Sequence, residues 1–434
     1  YKEEGMDRLF AELYGRDDKT IERQINRYLG VLERYYELFP DCKEDVQFFS
    51  TPGRTEVGGN HTDHNHGRVL AAGVTMDTVA VAARRDDSLI ILYSHGYDGV
   101  FEVDIRDLEV KEDERETTHA LIRGIAARFK ELGFEIGGFN AYISSDVLRG
   151  SGLSSSASIE VLLGTILSHL YNDGQVDVKL LAMVGQYAEN VYFGKPCGLM
   201  DQMACAVGGF VTMDFEDPSD PKVRKIEFDF DSKGYSLLVV DTGGSHADLT
   251  DDYASVPAEM KAVAEALGAK VCRELTMKQI VDNIPMLREK VNDRAVLRAM
   301  HFINEDHRVT RQVAALEEDN FEEFLSLIKE SGNSSWKWLQ NCYSAHSPLE
   351  QGVTLALALT EDFIGTIGKG ACRVHGGGFA GTIQVFLPKE KVKDYIEEIE
   401  PIFGHGAVTV LGIRPVGTIK MNIDIEELRR FCKK

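Results

Sequence analysis

Apolar residues at helical spacing open the chain: Leu9, Phe10 and Leu13, then Ile21, Ile25, Leu29 and Leu32, the recurrence of helices that bury one face. They are predicted to pack on the surface of a first domain. From Val69 to Tyr93 the pattern becomes apolar runs interrupted by Arg84-Arg85-Asp86-Asp87, and this charged turn between β-rich stretches predicts a hairpin. Residues 117–132 return to helical spacing and stop at Gly133, and residues 138–145 predict a strand. Residues 178–192 predict a further helix, while Glu216-Asp217-Pro218-Ser219-Asp220-Pro221 combines turn formers with acids and predicts a surface loop near a domain boundary. The second half mixes predicted helices at 256–267, 286–303 and 321–331 with strands at 237–240 and 382–387. No repeat or low-complexity tract interrupts this order, so the pattern alone indicates a mixed α/β or α+β protein of at least two domains.

Composition narrows the partners. In 434 residues, 48 Lys and Arg face 70 Asp and Glu, a net charge of -22, which repels nucleic acid phosphate and anionic membrane surfaces. A helix N-terminus with a bound cation still attracts ATP to an acidic protein. The 7 cysteines are scattered without a C-x-x-C pair, as suits free thiols in a reducing compartment. The start Tyr1-Lys2-Glu3-Glu4 lacks an apolar signal core, and no run reaches the ~20 apolar residues of a membrane span. The cytoplasm is the expected location.

Chemistry concentrates first where the predicted strand meets the next helix, at Gly150-Ser151-Gly152-Leu153-Ser154-Ser155-Ser156-Ala157-Ser158. Glycines allow close backbone approach to a ligand, and the helix start offers unpaired N–H groups and a positive dipole end to a phosphate. Taken alone, the run reads equally well as a Ser-rich N-cap. A second dense polar segment, Arg54-Thr55-Glu56-Val57-Gly58-Gly59-Asn60-His61-Thr62-Asp63-His64-Asn65-His66, precedes the apolar run from Val69 and reads as a binding loop. Its imidazoles and carboxylate also suggest a transition-metal site, but alternating positions splay side chains apart and no distant Cys or His motif supplies a fourth ligand. A third segment, Cys197-Gly198-Leu199-Met200-Asp201-Gln202-Met203, follows the predicted helix, and a fourth, Arg373-Val374-His375-Gly376-Gly377-Gly378-Phe379-Ala380-Gly381, lies near the end.

In this order, over residues 54–387, these segments resemble the galactokinase branch of the GHMP small-molecule kinases. The resemblance implies an α+β, two-domain GHMP kinase fold with its active site in the interdomain cleft. Residues 1–230 would form the N-terminal sugar- and ATP-binding domain and 231–434 the C-terminal domain, with the fourth segment a Gly-rich loop between strand and helix. It implies an ATP- and Mg²⁺-dependent kinase acting on the anomeric hydroxyl of galactose. Gly150 to Ser158 would bind ATP, and Ser156 and Glu189 would ligate Mg²⁺, an oxygen pair suited to that ion. Asp201 would act on the sugar hydroxyl, and Arg54 would contact both Asp201 and the transferred phosphoryl group. Asn60, His61, Asp63, Gly198 and Tyr253 would hold the sugar, Tyr253 following His246 as in the family.

Departures from the family pattern bear on the substrate. Asn60 and His64 stand where Glu and Tyr are usual, Glu56 replaces Asn, and His375 and Ala380 replace Thr and Gly. An uncharged Asn60 can still accept from a C6 hydroxyl and does not repel a C6 carboxylate, so galacturonate or another C6-modified galactose is a rival substrate. A non-catalytic sugar sensor is a further alternative, although the Ser-rich loop, Arg54 and Asp201 are all retained.

Overall fold

The computed structural model describes residues 5–42, 44–147, 152–244 and 249–431; Gly150, Ser151 and His246 lie outside them. Helices α1 (Met6–Tyr14) and α2 (Asp18–Leu38) come first, as the spacing predicts, with Asp17 capping α2 by accepting from Thr20 N at 2.8 Å. Strands β1 (Gln47–Gly58), β2 (Arg68–Arg84), β3 (Leu89–Ser94) and β4 (Phe101–Asp104) follow, then α3 (Thr118–Glu131) and β5 (Phe139–Ser145). The phosphate-loop segment leads into α4 (Ser155–Tyr171), and α5 (Val178–Tyr187) runs into a π-helical turn at Ala188–Phe193. Next come α6 (Met200–Val207) and the hairpin β6 (Phe210–Asp214) and β7 (Lys222–Ile226).

The second half contributes β8 (Tyr235–Asp241), α7 (Thr250–Ala266), α8 (Met277–Asp282), α9 (Ile284–Lys290), α10 (Asp293–Glu317) and α11 (Phe321–Ser334), the last ending in a π turn at Ser335–Leu339. It continues with α12 (Gly352–Ile367), β9 (Ala371–Val374), β10 (Thr382–Pro388), α13 (Val392–Phe403), β11 (Val408–Leu411), β12 (Ile419–Met421) and α14 (Ile425–Phe431). The whole is an α+β architecture on two sheets. The first is eight-stranded, in the order β12-β1-β2-β5-β3-β4 with β6 and β7 attached to β2; the second is four-stranded, β11-β8-β10-β9.

Four expectations need correction. The charged turn does not close a hairpin, because β5 inserts between β2 and β3, antiparallel to one and parallel to the other. Buried along most of its length, β5 belongs in the sheet centre, a non-local pairing that periodicity cannot reveal. The acidic loop after Asp214 is the hairpin connection inside the first sheet, with Asp214 opposite Lys222, and not a domain boundary. The helix expected at 286–303 breaks at Asn292, whose extended backbone and side chain, accepting from Ala295 N at 2.7 Å, start α10 afresh. The fourth glycine-rich segment joins strand to strand, β9 to antiparallel β10, rather than strand to helix. Within the expected C-terminal domain, β12 returns to pair with β1, and Leu428 of α14 joins the core beneath α2.

The first sheet carries α3, α4 and α5 on one face and α1 and α2 on the other, each over its own apolar cluster. A third cluster is shared: Val57, Leu70 and Val74 of the first sheet pack with Leu237, Val239 and Phe386 of the second and with α10 and α11. The two lobes therefore share a core, and buried polar pairs such as Glu56 with Arg373 also join them. Among the described residues no helix is long and apolar enough to cross a membrane.

A buried carboxylate locks the terminal segments to the first sheet. Asp77 of β2 accepts from Tyr14 (2.6 Å), Arg27 (2.7 Å), Ser50 (2.5 Å) and Arg414 (2.9 Å), and is wholly excluded from solvent. Burial alone would raise its pKa, but Arg27 and Arg414, helped by the two hydroxyls, hold it below the usual carboxylate range. Its stabilisation is thus fully present above the ordinary Asp range and is lost only as pH falls through the depressed folded value. Asp77→Asn leaves buried Arg414 without its anion and Arg27 with Asp146 alone, at 3.0 Å. It is expected to lower unfolding free energy by about 3–5 kcal/mol in urea titrations at neutral pH, with the difference from wild type shrinking in strong acid.

Candidate active site

Arg54 projects from β1, where its backbone N–H donates to Leu153 O at 3.0 Å. Its Nε donates to Asp201 Oδ1 at 2.8 Å, and its Nη1 donates to the carbonyl of Gly152. Asp201 sits in the first turn of α6 with its other oxygen accepting from Ser154 Oγ at 2.6 Å. Arg54 is 8% exposed and Asp201 36%, so the carboxylate is the partner that faces solvent. Desolvation pushes the Asp201 pKa up, but Arg54 and the Ser154 hydroxyl outweigh it and hold the acid ionised below its usual range. The arrangement presents an anion oriented on both oxygens, beside a fixed cation.

The phosphate-loop segment divides by where its side chains go. Gly152, at φ +73, is exposed, and Ser154 adopts a left-handed φ of +58 immediately before α4, a strained conformation that aims its hydroxyl at Asp201. Ser155 and Ser156 stand at the open first turn of α4, Ser156 exposed. Leu153, Ala157 and Ser158 turn their side chains inward, so these positions face a phosphate with backbone alone: Leu153 and Ala157 are core, and Ser158 Oγ donates to Thr51 O and Thr78 Oγ1, both at 2.9 Å.

Glu189 is presented by the π turn after α5, an insertion that swings this residue toward α4. Gln202 Nε2 donates to both Glu189 Oε2 at 3.0 Å and Glu160 Oε2 at 2.9 Å. Glu160 lies one turn beyond Ser156 on α4, and its Oε1 has no hydrogen-bond partner. Burial, then the charge of Glu189, raises the Glu160 pKa well above the usual carboxylate range. A serine hydroxyl, a carboxylate and an orphaned carboxyl oxygen make an oxygen-only donor set that fits Mg²⁺. Among the described residues no three His, Cys, Asp or Glu side chains are grouped to hold a metal by themselves.

On the loop between β1 and β2, His61 is half-buried and its Nε2 donates to Gly377 O at 2.9 Å, which leaves Nδ1 as an acceptor. Burial drives its pKa down to about 4, so the ring is neutral near pH 7. Asp63 lies beside Gly198, where a Cβ would stand 2.8 Å from Asp63 Oδ2; glycine there admits the carboxylate. Tyr253, in the first turn of α7, donates to Gly378 O at 3.2 Å and packs edge-on against Phe379.

Asn60 departs from expectation. It is fully buried, with Nδ2 donating to Glu56 Oε1 (2.8 Å) and Gly376 O (2.7 Å), and Oδ1 accepting from Ser335 (3.2 Å) and Asn341 (2.9 Å). Its amide is committed to the protein and does not present an acceptor for a sugar C6 group. Glu56 in turn pairs with fully buried Arg373 at 2.9 Å.

Residues 33–84 match the galactokinase galactose-binding signature and residues 120–209 the GHMP kinases N terminal domain. The chain is 32% identical to a galactokinase of Streptomyces coelicolor, covering 86% of this chain and 92% of that one, and 31% identical to one of Lactobacillus helveticus over 86% and 93%. The chain belongs to the galactokinase family. The crystal structure of Lactococcus lactis galactokinase complexed with galactose superposes with a TM-score of 0.77 at 25% identity, covering 91% of this chain and 100% of that chain. The fold extends to Methanococcus jannaschii mevalonate kinase, with a TM-score of 0.61 at 16% identity over 86% of this chain and 99% of that chain. As a galactokinase family member with the GHMP kinase fold, the protein is a small-molecule phosphotransferase.

Sequence reasoning missed Glu160 and Gln202. The available signal was an acid inside the apolar run Ile159 to Leu163, since a buried Glu on a helix needs a partner. Glu160→Gln keeps an uncharged acceptor for Gln202 and is expected to keep or raise the melting temperature. Glu160→Ala, which strips a buried amide of its acceptor, is expected to cost about 1–3 kcal/mol, with both read by thermal melts.

Proposed function

We propose that the protein transfers the γ-phosphoryl group of ATP to the anomeric hydroxyl of galactose, giving galactose 1-phosphate and ADP. The observation that carries this reading is the Arg54–Asp201 pair at 2.8 Å, gripped by Gly152 and Ser154 of the phosphate loop. Asp201 accepts the proton of the anomeric hydroxyl, the most acidic hydroxyl of a free sugar, as that oxygen bonds to phosphorus and the bond to ADP breaks. An Asp held ionised by a guanidinium is a weak base, which suits a transition state in which the hydroxyl proton leaves late. Arg54 keeps Asp201 charged and oriented, and its Nη2, uncommitted among the described residues, is directed to the transferred group.

Ser156 and Glu189 would hold Mg²⁺, which neutralises phosphate charge when bound. Gln202 fixes the Glu189 carboxylate from behind. Asp63 and His61 Nδ1 supply acceptors for neighbouring sugar hydroxyls, and acceptor placement selects stereochemistry. With Asn60 withdrawn and Glu56 buried behind it, Asn60 does not recruit a C6 carboxylate, and galactose is the reading favoured over galacturonate. Intact catalytic residues likewise favour a kinase over a sensor. The cytoplasm, where ATP is supplied, is the proposed compartment.

ADP release with MgATP and, separately, galactose, galacturonate, N-acetylgalactosamine, arabinose and glucose tests the assignment. Galactose is expected to be preferred, and silence across the panel with ATP still bound would replace the kinase by a sensor. Asp201→Asn is expected to lower kcat by about 10²- to 10⁴-fold while preserving ADP affinity, and Arg54→Ala to lower kcat as much and also to weaken ADP binding, because it releases the Gly152 carbonyl. Gly198→Ala pushes a methyl against Asp63 and is expected to raise the galactose KM about 10-fold or more, with the ATP KM unchanged.

A further inference from the structure

His375 begins the glycine segment that joins β9 to β10, and both ring nitrogens are engaged. Nε2 lies 3.0 Å from Thr55 Oγ1 and Nδ1 lies 3.0 Å from Thr382 Oγ1. Thr55 Oγ1 also accepts from Gln384 Nε2 at 2.6 Å, and each threonine hydroxyl can either donate to or accept from the ring nitrogen it faces. This buried ring is the wall against which Gly152 rests: a Cβ on Gly152 would stand 3.0 Å from His375 Nδ1. Gly152 is the residue whose carbonyl Arg54 holds, and Thr55 follows Arg54 on β1.

The other end of the same short segment is held by the sugar side. Gly376 O accepts from Asn60 at 2.7 Å, Gly377 O from His61 at 2.9 Å and Asn341 at 3.1 Å, and Gly378 O from Tyr253 at 3.2 Å. Close approach requires the glycines: a Cβ on Gly377 would meet the Tyr253 ring at 2.5 Å, and one on Gly378 would meet Asn341 O at 2.1 Å. Three residues beyond His375 span at most ~10 Å even when extended. A shift of the sugar-side carbonyls therefore reaches the imidazole with little slack.

We propose that His375 is a positioning residue that ties the nucleotide loop to the sugar site, so that sugar binding tightens nucleotide binding. The proposal rests on the galactose kinase reading. Sugar that engages His61, Asp63 and Tyr253 steadies the carbonyls of Gly376 to Gly378, and the imidazole passes that order to Gly152 and Arg54. Nucleotide then binds a loop whose ordering cost is already met, which is positive coupling without a large movement. Neither imidazole nitrogen is directed at a substrate. Burial, with Arg54 and Arg373 nearby, keeps the ring neutral, so one ring nitrogen donates to its threonine and the other accepts.

The test is calorimetry of MgADP binding with and without saturating galactose, on the full chain as wild type, His375→Ala, His375→Asn and Thr55→Val, with kcat, both KM values and melting temperature in parallel. Galactose is expected to tighten MgADP about 5-fold or more in wild type. In His375→Ala and Thr55→Val this factor is expected to fall below about 2, with the ATP KM raised, and His375→Asn, which keeps a donor to Thr382, is expected to recover part of it. A merely structural role would lower the melting temperature and leave the coupling factor intact. Wild type without coupling, or variants that retain all of it, overturns the proposal. If His375→Ala does not fold, Thr55→Val and His375→Asn decide. A wild type that turns over no sugar of the panel defeats the kinase reading itself, whereas an active wild type with unaltered coupling in the variants defeats only this inference.

Discussion

The ion pair between Arg54 and Asp201 organises everything around it. Arg54 is almost wholly buried, and a guanidinium in that environment needs an anion and acceptors within the protein, here for Nε and Nη1. Its partners come from distant parts of the chain: Asp201 from α6 and the Gly152 carbonyl from the phosphate loop. Satisfying one buried cation thus brings β1, α6 and the start of α4 to a common point, and Ser154 closes the arrangement from the far side of Asp201. The depressed pKa of Asp201 is a consequence of the same geometry. The electrostatics that hold the site together also set the protonation state its chemistry uses.

Other buried charges follow the same logic at the joints of the fold. Asp77 gathers Tyr14, Arg27, Ser50 and Arg414, and so binds the first helices and the returning C-terminal strand to the first sheet. Glu56 and Arg373 pair across the lobes at 2.9 Å. Glu305 accepts from Gly59 N and Ser331 Oγ, and although burial alone would raise its pKa, the cations Arg308 and Arg373 bring it down to about 2. Isolated, each of these groups would be costly, since desolvation of a charge is repaid only when its geometry and hydrogen bonds are complete. Placed where segments converge, they specify one arrangement of those segments around the site.

Much of this was legible along the chain. Helical spacing located α1, α2, α3 and α11 because a helix that buries one face must repeat its apolar residues locally. Arg54, Asp201, the opening serines of α4 and Glu189 stand out in the sequence through the motifs they share with the family, on short segments. The failures share a different cause. Arg84 to Asp87 has the composition of a hairpin turn, yet a strand from residues 139–145 takes the place between its flanks. Asn60 carries the same chemical groups in any environment, and the partners that consume them come from residues 335, 341 and 376.

What the sequence by itself determined was the inventory: which stretches are helices or strands, which loop can cradle phosphate, and which Arg, Asp and Glu are able to move or neutralise charge. These follow from interactions between residues within a few positions of one another, whose geometry the backbone sets in advance. The tertiary structure alone decided strand order, the return of β12 to β1, the sharing of Gln202 between Glu160 and Glu189, and the position of His375 behind Gly152. Each of these depends on which donor and acceptor meet across hundreds of residues, and that is settled only when the core closes and every buried polar group must find a partner.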